Sequence, residues 1–296
     1  PAAVSPRARQ RGAGQLGTIG SGNHFVELQS VERIVAPDAA RELGLAEGQL
    51  TVLIHSGSRG LGHQVCSDYV RTMDSVIARY GIRLPDRQLA CAPISSREGR
   101  AYLAAMAAAA NFAWANRHAI AHRVRSALRR VLGAGVAEGT TTIYDVAHNV
   151  AKFERYRGQR LLVHRKGATR AFPAGSSEIP SRYRSCGQPV FIPGSMGTAS
   201  WVLVGAPGAV ERTFGTTCHG AGRRLSRTRA RRQIHGRELA RQLGERGIAV
   251  RAASARGLAE EAPFAYKEVD RVVEVVERAG IARRVARLVP IGVVKG

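Results

Sequence analysis

Residues 214–223 read Phe-Gly-Thr-Thr-Cys-His-Gly-Ala-Gly-Arg and place one histidine and one thiol among glycines. Small residues in such a run let backbone N–H groups approach a ligand closely. If residues 220–222 open a helix, their amides and the helix dipole favour a phosphate there, and Arg223 adds a bidentate phosphate donor. His219 would then lie beside a phosphorus atom as a nucleophile or as a general acid and base. A glycine turn with an incidental histidine is the alternative.

A thiol mechanism competes with the histidine. Cys218 and Arg224 have the Cys-x5-Arg spacing of cysteine phosphatases, in which a thiolate attacks phosphorus. That loop usually follows an apolar strand and has a glycine three residues after the cysteine. Here two polar threonines precede the cysteine, and Ala221 holds the glycine position. The sequence therefore favours His219 over Cys218 as the reactive group.

The composition is that of a globular protein with an unusual charge. Of 296 residues 44% are hydrophobic, and 45 Lys and Arg against 22 Asp and Glu give a net charge of +23. Such an excess favours a polyanionic partner such as nucleic acid, and an arginine-rich proteome is the alternative source. Widely spaced cysteines without a CxxC pair favour a reducing cytoplasm over a disulfide scaffold. No apolar run reaches ~18 residues, so no membrane partner is expected.

Hydrophobic periodicity predicts a single large domain of the α+β or mixed α/β class over residues 15–296, preceded by a linker or cut end at residues 1–14. The predicted strands are 24–28, 51–54, 141–145, 161–163, 189–192, 201–204, 249–252 and 285–294. The predicted helices are 63–80, 99–132, 231–245 and 264–279. Strands that end in polar loops alternate irregularly with these helices, which indicates the mixed class.

Three histidines, His24, His55 and His148, lie at or near predicted strand ends beside Gly, Ser or Asn. Neutral imidazoles suit divalent transition metals, and three of them could supply most of one site. Taken singly, each is also compatible with a structural role. His118 and His122 have the one-turn spacing of a zinc-protease helix. The glutamate that serves there as general base is absent, so we expect them on a helix surface or in packing.

Segments along the whole chain together resemble the RtcB family of RNA-splicing ligases. In chain order they are QLGTIGSGNHFVE, HSGSRGLGHQV, YDVAHNVA, VHRKGATRAF, GQPVFIPGSMGTASWV, FGTTCHGAGR, EEAPFAYKEVD and GVVKG, and they span residues 15–296. The resemblance implies the unusual mixed α/β fold of that family. It also implies a ligase that joins RNA 3′-phosphate or 2′,3′-cyclic phosphate ends to 5′-hydroxyl ends, in tRNA splicing or RNA repair, with GTP and Mn²⁺.

By this resemblance His219 is the nucleophile that attacks the α-phosphorus of GTP and forms a histidine–GMP adduct. The guanylate then passes to the RNA 3′-phosphate, and the 5′-hydroxyl displaces GMP. His24, His55 and His148 resemble the metal ligands. The residues that match the GTP-binding segments are Asn23, His24, Phe25, Val26, Glu27, His148, Asn149, Pro193, Gly194, Ser195, Met196, Ser200, His219, Gly220, Ala221, Gly222, Tyr266 and Lys295. The residues expected at RNA or phosphate groups are Arg59, Lys166 and Arg223.

Two of these residues have a specific expected contact with the base. Glu27 can accept hydrogen bonds from guanine N–H groups, and Tyr266 could stack on the ring. The resemblance also implies RNA as a partner, in the form of broken or spliced ends such as tRNA halves. An activating protein partner stays open.

One motif of the family is not in these residues. The early Asp-x-Gly-Cys-Gly, whose aspartate and cysteine complete the two-metal site, would lie upstream of residue 1, and the sequence does not begin with Met. We therefore expect either a fragment of a longer ligase or a relative that has lost ligation. Two further hypotheses stay open: an inactive RNA-binding relic, and a phosphohydrolase that uses the same histidine and metal site.

Overall fold

The computed structural model describes residues 2–86 and 89–296 and confirms the mixed α/β class. Its helices are α1 (Pro6–Ala13), α2 (Pro37–Leu43), α3 (Arg59–Val76), α4 (Arg97–Leu132), α5 (Ala134–Gly139), α6 (Pro207–Thr213), α7 (Arg227–Gln233), α8 (Gly236–Glu245), α9 (Ala255–Glu260) and α10 (Val269–Arg278). Its strands are β1 (Phe25–Ile34), β2 (Leu50–His55), β3 (Asn149–Tyr156), β4 (Gln159–Lys166), β5 (Ala168–Arg170), β6 (Pro189–Pro193), β7 (Ser200–Gly205), β8 (Thr216–Cys218), β9 (Ala249–Ala252) and β10 (Ala282–Lys295). Across the described residues, no helix has both the length and the apolar character that a membrane span needs.

The chain folds into two compact units, each built from two separate stretches of sequence. The helical unit contains the residues up to 20 together with 55–140, and the sheet unit contains residues 21–54 together with 141–296. Residues 214–223, the glycine-rich stretch that contains His219, therefore belong to the sheet unit. His55, the last residue of β2, is the first residue of the second stretch of the helical unit.

In the helical unit, α1 packs on α3 and α3 packs on α4. The linker predicted at residues 1–14 is wrong over α1, because Ser5 caps this helix and Pro6 occupies its first turn. A serine cap followed by proline is a strong signal for the start of a helix. The linker prediction gave more weight to the arginines and glycines of this stretch than to this signal. The contact among α1, α3 and α4 is apolar and buried, and its residues are Val4, Ala8, Val65 and Ala105.

The sheet unit is organised around β10, the long last strand of a six-stranded sheet. One edge of β10 pairs with antiparallel β1, and the other pairs with antiparallel β7 and then with parallel β9. β7 is buried along its whole length. Val202 and Val204 face a core shared with α2, whereas Trp201 and Leu203 face a core shared with α10. Helices therefore cover both faces of the sheet, which explains its continuous apolar strands.

Two small antiparallel pairs stand apart from the main sheet. β3 and β4 form a hairpin, which we call the β3–β4 ribbon, and β5 pairs with β8. The strand predicted at residues 141–145 is wrong, because that segment is irregular and β3 begins only at Asn149. Side chains hold this segment instead: Tyr183 donates to the carbonyl of Ile143, and Gln188 donates to the hydroxyl of Tyr144 over 2.8 Å.

The helix predicted at residues 231–245 is also wrong, since two helices, α7 and α8, occupy the region. Ile234 between them has extended backbone, and the ring of His235 caps α8. Gly236 then packs against α9 so closely that a Cβ there would lie 1.9 Å from the carbonyl oxygen of Ala255. This tertiary contact overrides the continuous helical propensity of the sequence.

Candidate active site

The pairing of β5 with β8 positions His219. In this antiparallel ladder Ala168 lies opposite Cys218, so Gly167, just before β5, comes next to His219, just after β8. The ring nitrogen Nδ1 of His219 lies 2.7 Å from the carbonyl oxygen of Gly167. Gly167 has a φ of 65°, a left-handed conformation that favours glycine. The chain between residues 219 and 226 forms no helix, so the condition for a helix-dipole phosphate site at residues 220–222 is not met.

His148 and Asn149 complete this corner. The ring of His148 stacks on that of His219, with centroids 4.4 Å apart and planes 9° from parallel. The side-chain oxygen of Asn149 accepts a hydrogen bond of 2.8 Å from the backbone N–H of Gly167. Two predicted site residues, His219 and Asn149, thus bond to one glycine that the sequence reasoning did not single out, and a third, His148, stacks on His219. A glycine between two strand signals, in the segment VHRKGATRAF, was the available clue.

The hydrogen bond to Gly167 fixes the chemical form of His219. A carbonyl oxygen can only accept, so Nδ1 carries the proton and Nε2 is the unprotonated nitrogen. Burial lowers the pKa of His219, the positive charge of Lys166 lowers it further, and the bond to Gly167 opposes both. The imidazole is therefore neutral near pH 7, and Nε2 has the lone pair that a nucleophile needs.

Cys218, the competing nucleophile, lies in a different environment. Burial raises the pKa of its thiol above the usual range, against smaller opposing hydrogen bonds. A thiolate is needed for attack on phosphorus, and a raised pKa makes this form rarer at neutral pH. Arg224, its partner in the phosphatase pattern, is exposed, and its backbone N–H bonds to the carbonyl of Ala265. The surroundings of Cys218 therefore do not favour the thiol mechanism.

The β6–β7 hairpin meets the loop after His219. The backbone N–H of Ala221 donates to the carbonyl of Pro193 over 3.0 Å, which ties the glycine-rich loop to the end of β6. In the hairpin the hydroxyl of Thr198 accepts from the N–H of Ser195 over 2.7 Å. A Cβ on Gly194 would lie 2.4 Å from the carbonyl oxygen of Ala199, so the turn needs glycine. The predicted residues of both segments thus form one backbone-lined corner.

A second set of predicted residues lies where β1 pairs with the end of β10. We call Glu27, Gln29, Ser200 and Lys295 the Glu27 cluster. The side-chain amide of Gln29 donates to Glu27 over 2.6 Å and to the hydroxyl of Ser200 over 2.9 Å. Gln29 was not predicted, although it shares a strand face with Glu27. Phe25 pairs with Lys295 in the ladder, and the ammonium group lies 5.7 Å from the centre of its ring.

Burial dominates the ionisation of this cluster. It raises the pKa of Glu27 to about 8, against the hydrogen bond from Gln29 and the charge of Lys295. It lowers the pKa of Lys295 to about 8, against the charges of Glu261 and Glu27. Near neutral pH the carboxyl of Glu27 is thus largely protonated. A buried acid and a buried amine with such shifted pKa values are typical of ligand sites.

The predicted residues Arg223 and Tyr266 join a further network around buried Glu261. The guanidinium of Arg223 bonds to the carboxylate of Glu261 over 3.0 Å and to the carbonyl of Glu260 over 2.7 Å. Tyr266 also donates to Glu261, and the guanidinium of Arg223 lies 4.9 Å from its ring centre. Arg227 donates to the other oxygen of Glu261 over 2.9 Å. A phosphate contact of Arg223 stays a prediction, and it would require exchange of these bonds.

A buried ion pair supports β8 from the inner face of the β3–β4 ribbon. We call Glu154, Tyr156 and Arg165 the Arg165 cluster. The side chains of Arg165 and Glu154 are 0% and 1% exposed and form two parallel bonds of 2.8 and 2.9 Å. Arg165 and Tyr156 both donate to the carbonyl of Phe214, over 2.8 and 2.6 Å. Arg165 also donates to the hydroxyl of Thr216 over 2.9 Å.

The remaining predicted residues lie outside the Glu27 and Arg165 clusters. Asn23 and His24 directly precede β1, beside the loop of Gly22, and Met196 is buried against α8. In the helical unit Arg59 has a φ of 53° and donates to the hydroxyl of Thr18 over 3.0 Å. The exposed histidines of α4, His118 and His122, lie on the helix surface as expected.

The metal prediction receives no direct support from the arrangement of side chains. In residues 2–86 and 89–296, no group of three or more His, Cys, Asp and Glu side chains is arranged to hold a metal ion. His24 and His148 belong to the sheet unit, and His55 is counted with the helical unit. Their role as metal ligands stays a prediction.

Comparison with known proteins matches residues 1–296 to the family described as tRNA-splicing ligase RtcB. The chain is 56% identical to a tRNA-splicing ligase RtcB of Archaeoglobus fulgidus, in a match that covers 100% of this chain and 62% of that relative. A tRNA-splicing ligase RtcB of Pyrococcus abyssi is 57% identical, with 100% of this chain and 33% of the relative covered. An RNA-splicing ligase RtcB of Mycobacterium bovis is 53% identical, with 100% of this chain and 68% of the relative covered.

The chain thus spans between 33% and 68% of the length of these three relatives. The segments quoted from the sequence lie within the matched range, which includes the corner formed by His148, Gly167 and His219. The agreement between family, motifs and geometry leads to one assignment: the chain belongs to the tRNA-splicing ligase RtcB family.

Proposed function

We propose that this chain contains the guanylate-transfer centre of an RNA ligase. The substrates would be an RNA 3′-phosphate or 2′,3′-cyclic phosphate end and a 5′-hydroxyl end, and GTP would supply the guanylate. One observation carries this proposal: Nδ1 of His219 is held at 2.7 Å from the carbonyl of Gly167, which makes Nε2 the basic nitrogen of a neutral imidazole. The names of the relatives, tRNA-splicing and RNA-splicing ligases, support the reaction class.

His219 would begin the reaction by attack of Nε2 on the α-phosphorus of GTP. A P–N bond forms, the bond to the pyrophosphate leaving group breaks, and histidine-linked GMP results. Gly167 keeps the ring oriented and accepts from Nδ1–H, which stabilises the positive charge that develops on the imidazole. The guanylate then passes to an oxygen of the RNA 3′-phosphate, and the attacking 5′-hydroxyl finally displaces GMP.

Groups on both sides of His219 would bind the nucleotide. The backbone N–H groups of residues 220–222 and of the β6–β7 hairpin are donors of the kind that hold phosphate oxygens. Those of Ala221 and Ser195 would have to exchange their bonds to Pro193 and Thr198 for bonds to a phosphate. Glu27 would accept from the N–H groups of guanine, and Lys295 would contact the phosphates. Exposed Lys166, whose charge already acts on His219, would meet the RNA phosphate.

The family also implies Mn²⁺, whose chemistry is to polarise phosphoryl oxygens and offset their charge. In the sheet unit His24 and His148 are the residues that would hold it, since neutral imidazole suits such a metal. These two donors do not make a complete ligand set among the described residues. The role of His55 as a further ligand stays a prediction, and so does a cytoplasmic location.

The test is labelling of the full chain with α-phosphate-labelled GTP and Mn²⁺, followed by denaturation. We expect an acid-labile, alkali-stable adduct that His219→Ala reduces to background. Cys218→Ala is the matched control, because it removes the neighbouring thiol and leaves the histidine, and it should keep most of the label. Full labelling of His219→Ala, or phosphate release from GTP without any adduct, would contradict the proposal and favour a phosphohydrolase.

A further inference from the structure

The two faces of the β3–β4 ribbon differ sharply in exposure. Its ladder runs from the pair Asn149 and Lys166 to the pair Tyr156 and Gln159 at the turn. Successive side chains in each strand point to opposite faces. The inner face carries the buried Arg165 cluster, which holds the carbonyl of Phe214. The outer face is the solvent side, and no contact of the Arg165 cluster depends on it.

The outer face is cationic and aromatic. Its exposed members are Asn149, Phe153, Arg155, Arg160, His164 and Lys166, and none of its described residues is a carboxylate. Phe153 keeps 43% of its surface exposed, although the guanidinium of Arg160 lies 4.3 Å from its ring centre. An exposed ring beside a guanidinium group is an arrangement on which nucleic-acid bases stack.

One pair on this face works against the stability of the hairpin. Arg155 lies directly opposite Arg160 in the antiparallel ladder. Like charges in directly opposite positions destabilise a strand pair. A pair of opposite charges would stabilise the hairpin better, so stability does not explain the two arginines. An anionic ligand that bridges the two guanidinium groups would offset their repulsion.

The outer face also leads to the proposed reaction centre. Lys166 ends β4, and the next residue, Gly167, holds His219. Arg160 lies six residues earlier in the same strand, which is about 20 Å at ~3.3 Å per residue. A strand of RNA along this path would pass from the arginine pair to the nucleophile.

We propose that the outer face of the β3–β4 ribbon binds single-stranded RNA and directs its phosphate end to His219. Arg155 and Arg160 contact backbone phosphates, Phe153 stacks on an unpaired base, and Lys166 meets the end of the strand. The direction toward His219 rests on the proposed function, whereas the binding itself does not. A single strand is favoured over a duplex because only unstacked bases can reach the Phe153 ring.

Binding is tested without GTP, by fluorescence anisotropy of a short labelled single-stranded RNA with a 3′-phosphate, at several salt concentrations. The double variant Arg155→Gln/Arg160→Gln should weaken binding at least about tenfold and make the slope of log K against log salt shallower by about 1.4, at ~0.7 per lost phosphate contact. Phe153→Ala should weaken binding about tenfold without a change of slope. The control Arg41→Gln/Arg271→Gln, which removes two exposed arginines from α2 and α10, should change neither.

Wild-type affinity and slope in the Arg155→Gln/Arg160→Gln variant would overturn the proposal and leave the face to an acidic protein. Photo-cross-linking of the same RNA to the unaltered chain gives an answer that does not depend on how a variant folds. Cross-links at Phe153 are expected, and cross-links confined to other segments would overturn the proposal. GTP labelling of the wild-type protein is measured separately. If the wild type binds RNA but is not labelled by GTP, the proposed function is refuted and RNA binding by the ribbon is not.

Discussion

The Arg165 cluster and the Glu27 cluster both bury ionisable groups in the sheet unit, but they satisfy them differently. In the first, Arg165 and Glu154 form two parallel hydrogen bonds, Arg170 lies 2.9 Å from the same carboxylate, and the hydroxyl oxygen of Tyr156 lies 2.8 Å from it. In the second, Glu27 accepts from a single amide, that of Gln29, and the charge of Lys295 acts on it without reversing the effect of burial.

The difference matches a supporting role for the Arg165 cluster and the binding role that we propose for the Glu27 cluster. A buried ion pair whose bonds are all made is fixed in one arrangement, and it orients whatever else it contacts, here the carbonyl of Phe214 before β8. A buried acid and amine with strongly shifted pKa values would gain hydrogen bonds from a ligand that supplies donors and negative charge. Guanine N–H groups and phosphate oxygens have this complementary chemistry.

The largest expected effect is on the Arg165 cluster. Arg165→Met should lower the free energy of unfolding by up to about 3–5 kcal/mol, because it removes the two-bond partner of buried Glu154 and leaves this carboxylate only its ion pair with Arg170, at 2.9 Å. Chemical denaturation measures the change. The double variant Arg165→Met/Glu154→Leu should recover part of the loss, since it removes both charges of the pair and leaves Arg170 its second partner, Glu178, at 2.7 Å.

The matched control is Arg129→Met, which breaks an exposed Arg–Glu pair, Arg129 with Glu138 at 3.2 Å. Solvent screens such a pair, so the loss should be no more than about 1 kcal/mol. Equal losses for Arg165→Met and Arg129→Met would mean that the buried pair is not the support we describe, and the contrast between the two clusters would fail.

The Glu27 cluster should appear in the dependence of stability on pH. Folding raises the pKa of Glu27 from 4.5 to about 8, so the folded state keeps a proton that the unfolded state loses, and stability falls as pH rises through this window. Folding lowers the pKa of Lys295 from 10.5 to about 8, so stability recovers as pH rises from about 8 to 10.5. Each change should be on the order of a few kcal/mol.

The two effects together predict a minimum of stability near pH 8. The free energy of unfolding of the wild type and of the variants, measured across this pH range, tests it. Glu27→Gln should remove the fall below it, and Lys295→Met should remove the rise above it. Glu138→Gln, at an exposed position, is the control and should leave the profile unchanged. A Glu27→Gln profile parallel to that of wild type would show that Glu27 is not protonated in the folded protein.

Nucleotide binding should also depend on the proton of Glu27, a smaller effect that rests on the proposed function. To accept from the ring N–H and the amino group of guanine with both of its oxygens, the carboxyl must ionise, so GTP binding in this two-bond arrangement near neutral pH should release a proton. Below pH 8, affinity should fall by up to about tenfold for each unit of pH, since one unit corresponds to ~1.4 kcal/mol. Calorimetry in buffers of different ionisation enthalpy measures the release, and Glu27→Gln should abolish it. No release in wild type would contradict the placement of Glu27 at the base.

Local sequence patterns were sufficient for much of the fold. The strand predicted at residues 249–252 coincides with β9, and the long helix predicted at residues 99–132 differs from α4 only at its start. The helix has a strong local signal, its many alanines. The quoted family segments also predicted that His148, Asn149 and His219 share a site, and the structure brings these three residues together around Gly167.

Contacts between distant residues were not predictable in this way. The arginine run at residues 223–232 has no carboxylate of its own, yet Arg223 and Arg227 bond to Glu261, more than thirty residues later. The pairing of Arg165 with Glu154 depends on the register of the ribbon, which a hydrophobic pattern does not specify for charged residues. The net charge read from the sequence therefore overstates how many arginines of this run are available to bind RNA.

The smallest effect we predict separates support of His219 from general stability of the ribbon. Gly167 and Gly158 lie just beyond the two ends of β4, with φ values of 65° and 79°. Alanine at either position should cost about 1–2 kcal/mol of folding free energy, because both need a left-handed backbone. A Cβ on Gly167 would lie 3.4 Å from Cε1 of His219, whereas one on Gly158 would meet nothing within 4 Å.

Gly167→Ala should therefore slow GTP labelling severalfold, and Gly158→Ala should leave the labelling rate unchanged at the same loss of stability. Denaturation midpoints and single-turnover labelling of the two variants provide the comparison. Equal labelling rates would mean that the contact between Gly167 and the His219 ring does not limit the proposed guanylate transfer. A slower rate in both variants would instead attribute the effect to the ribbon as a whole, since Gly158 lies in its distant turn and has no contact with the imidazole.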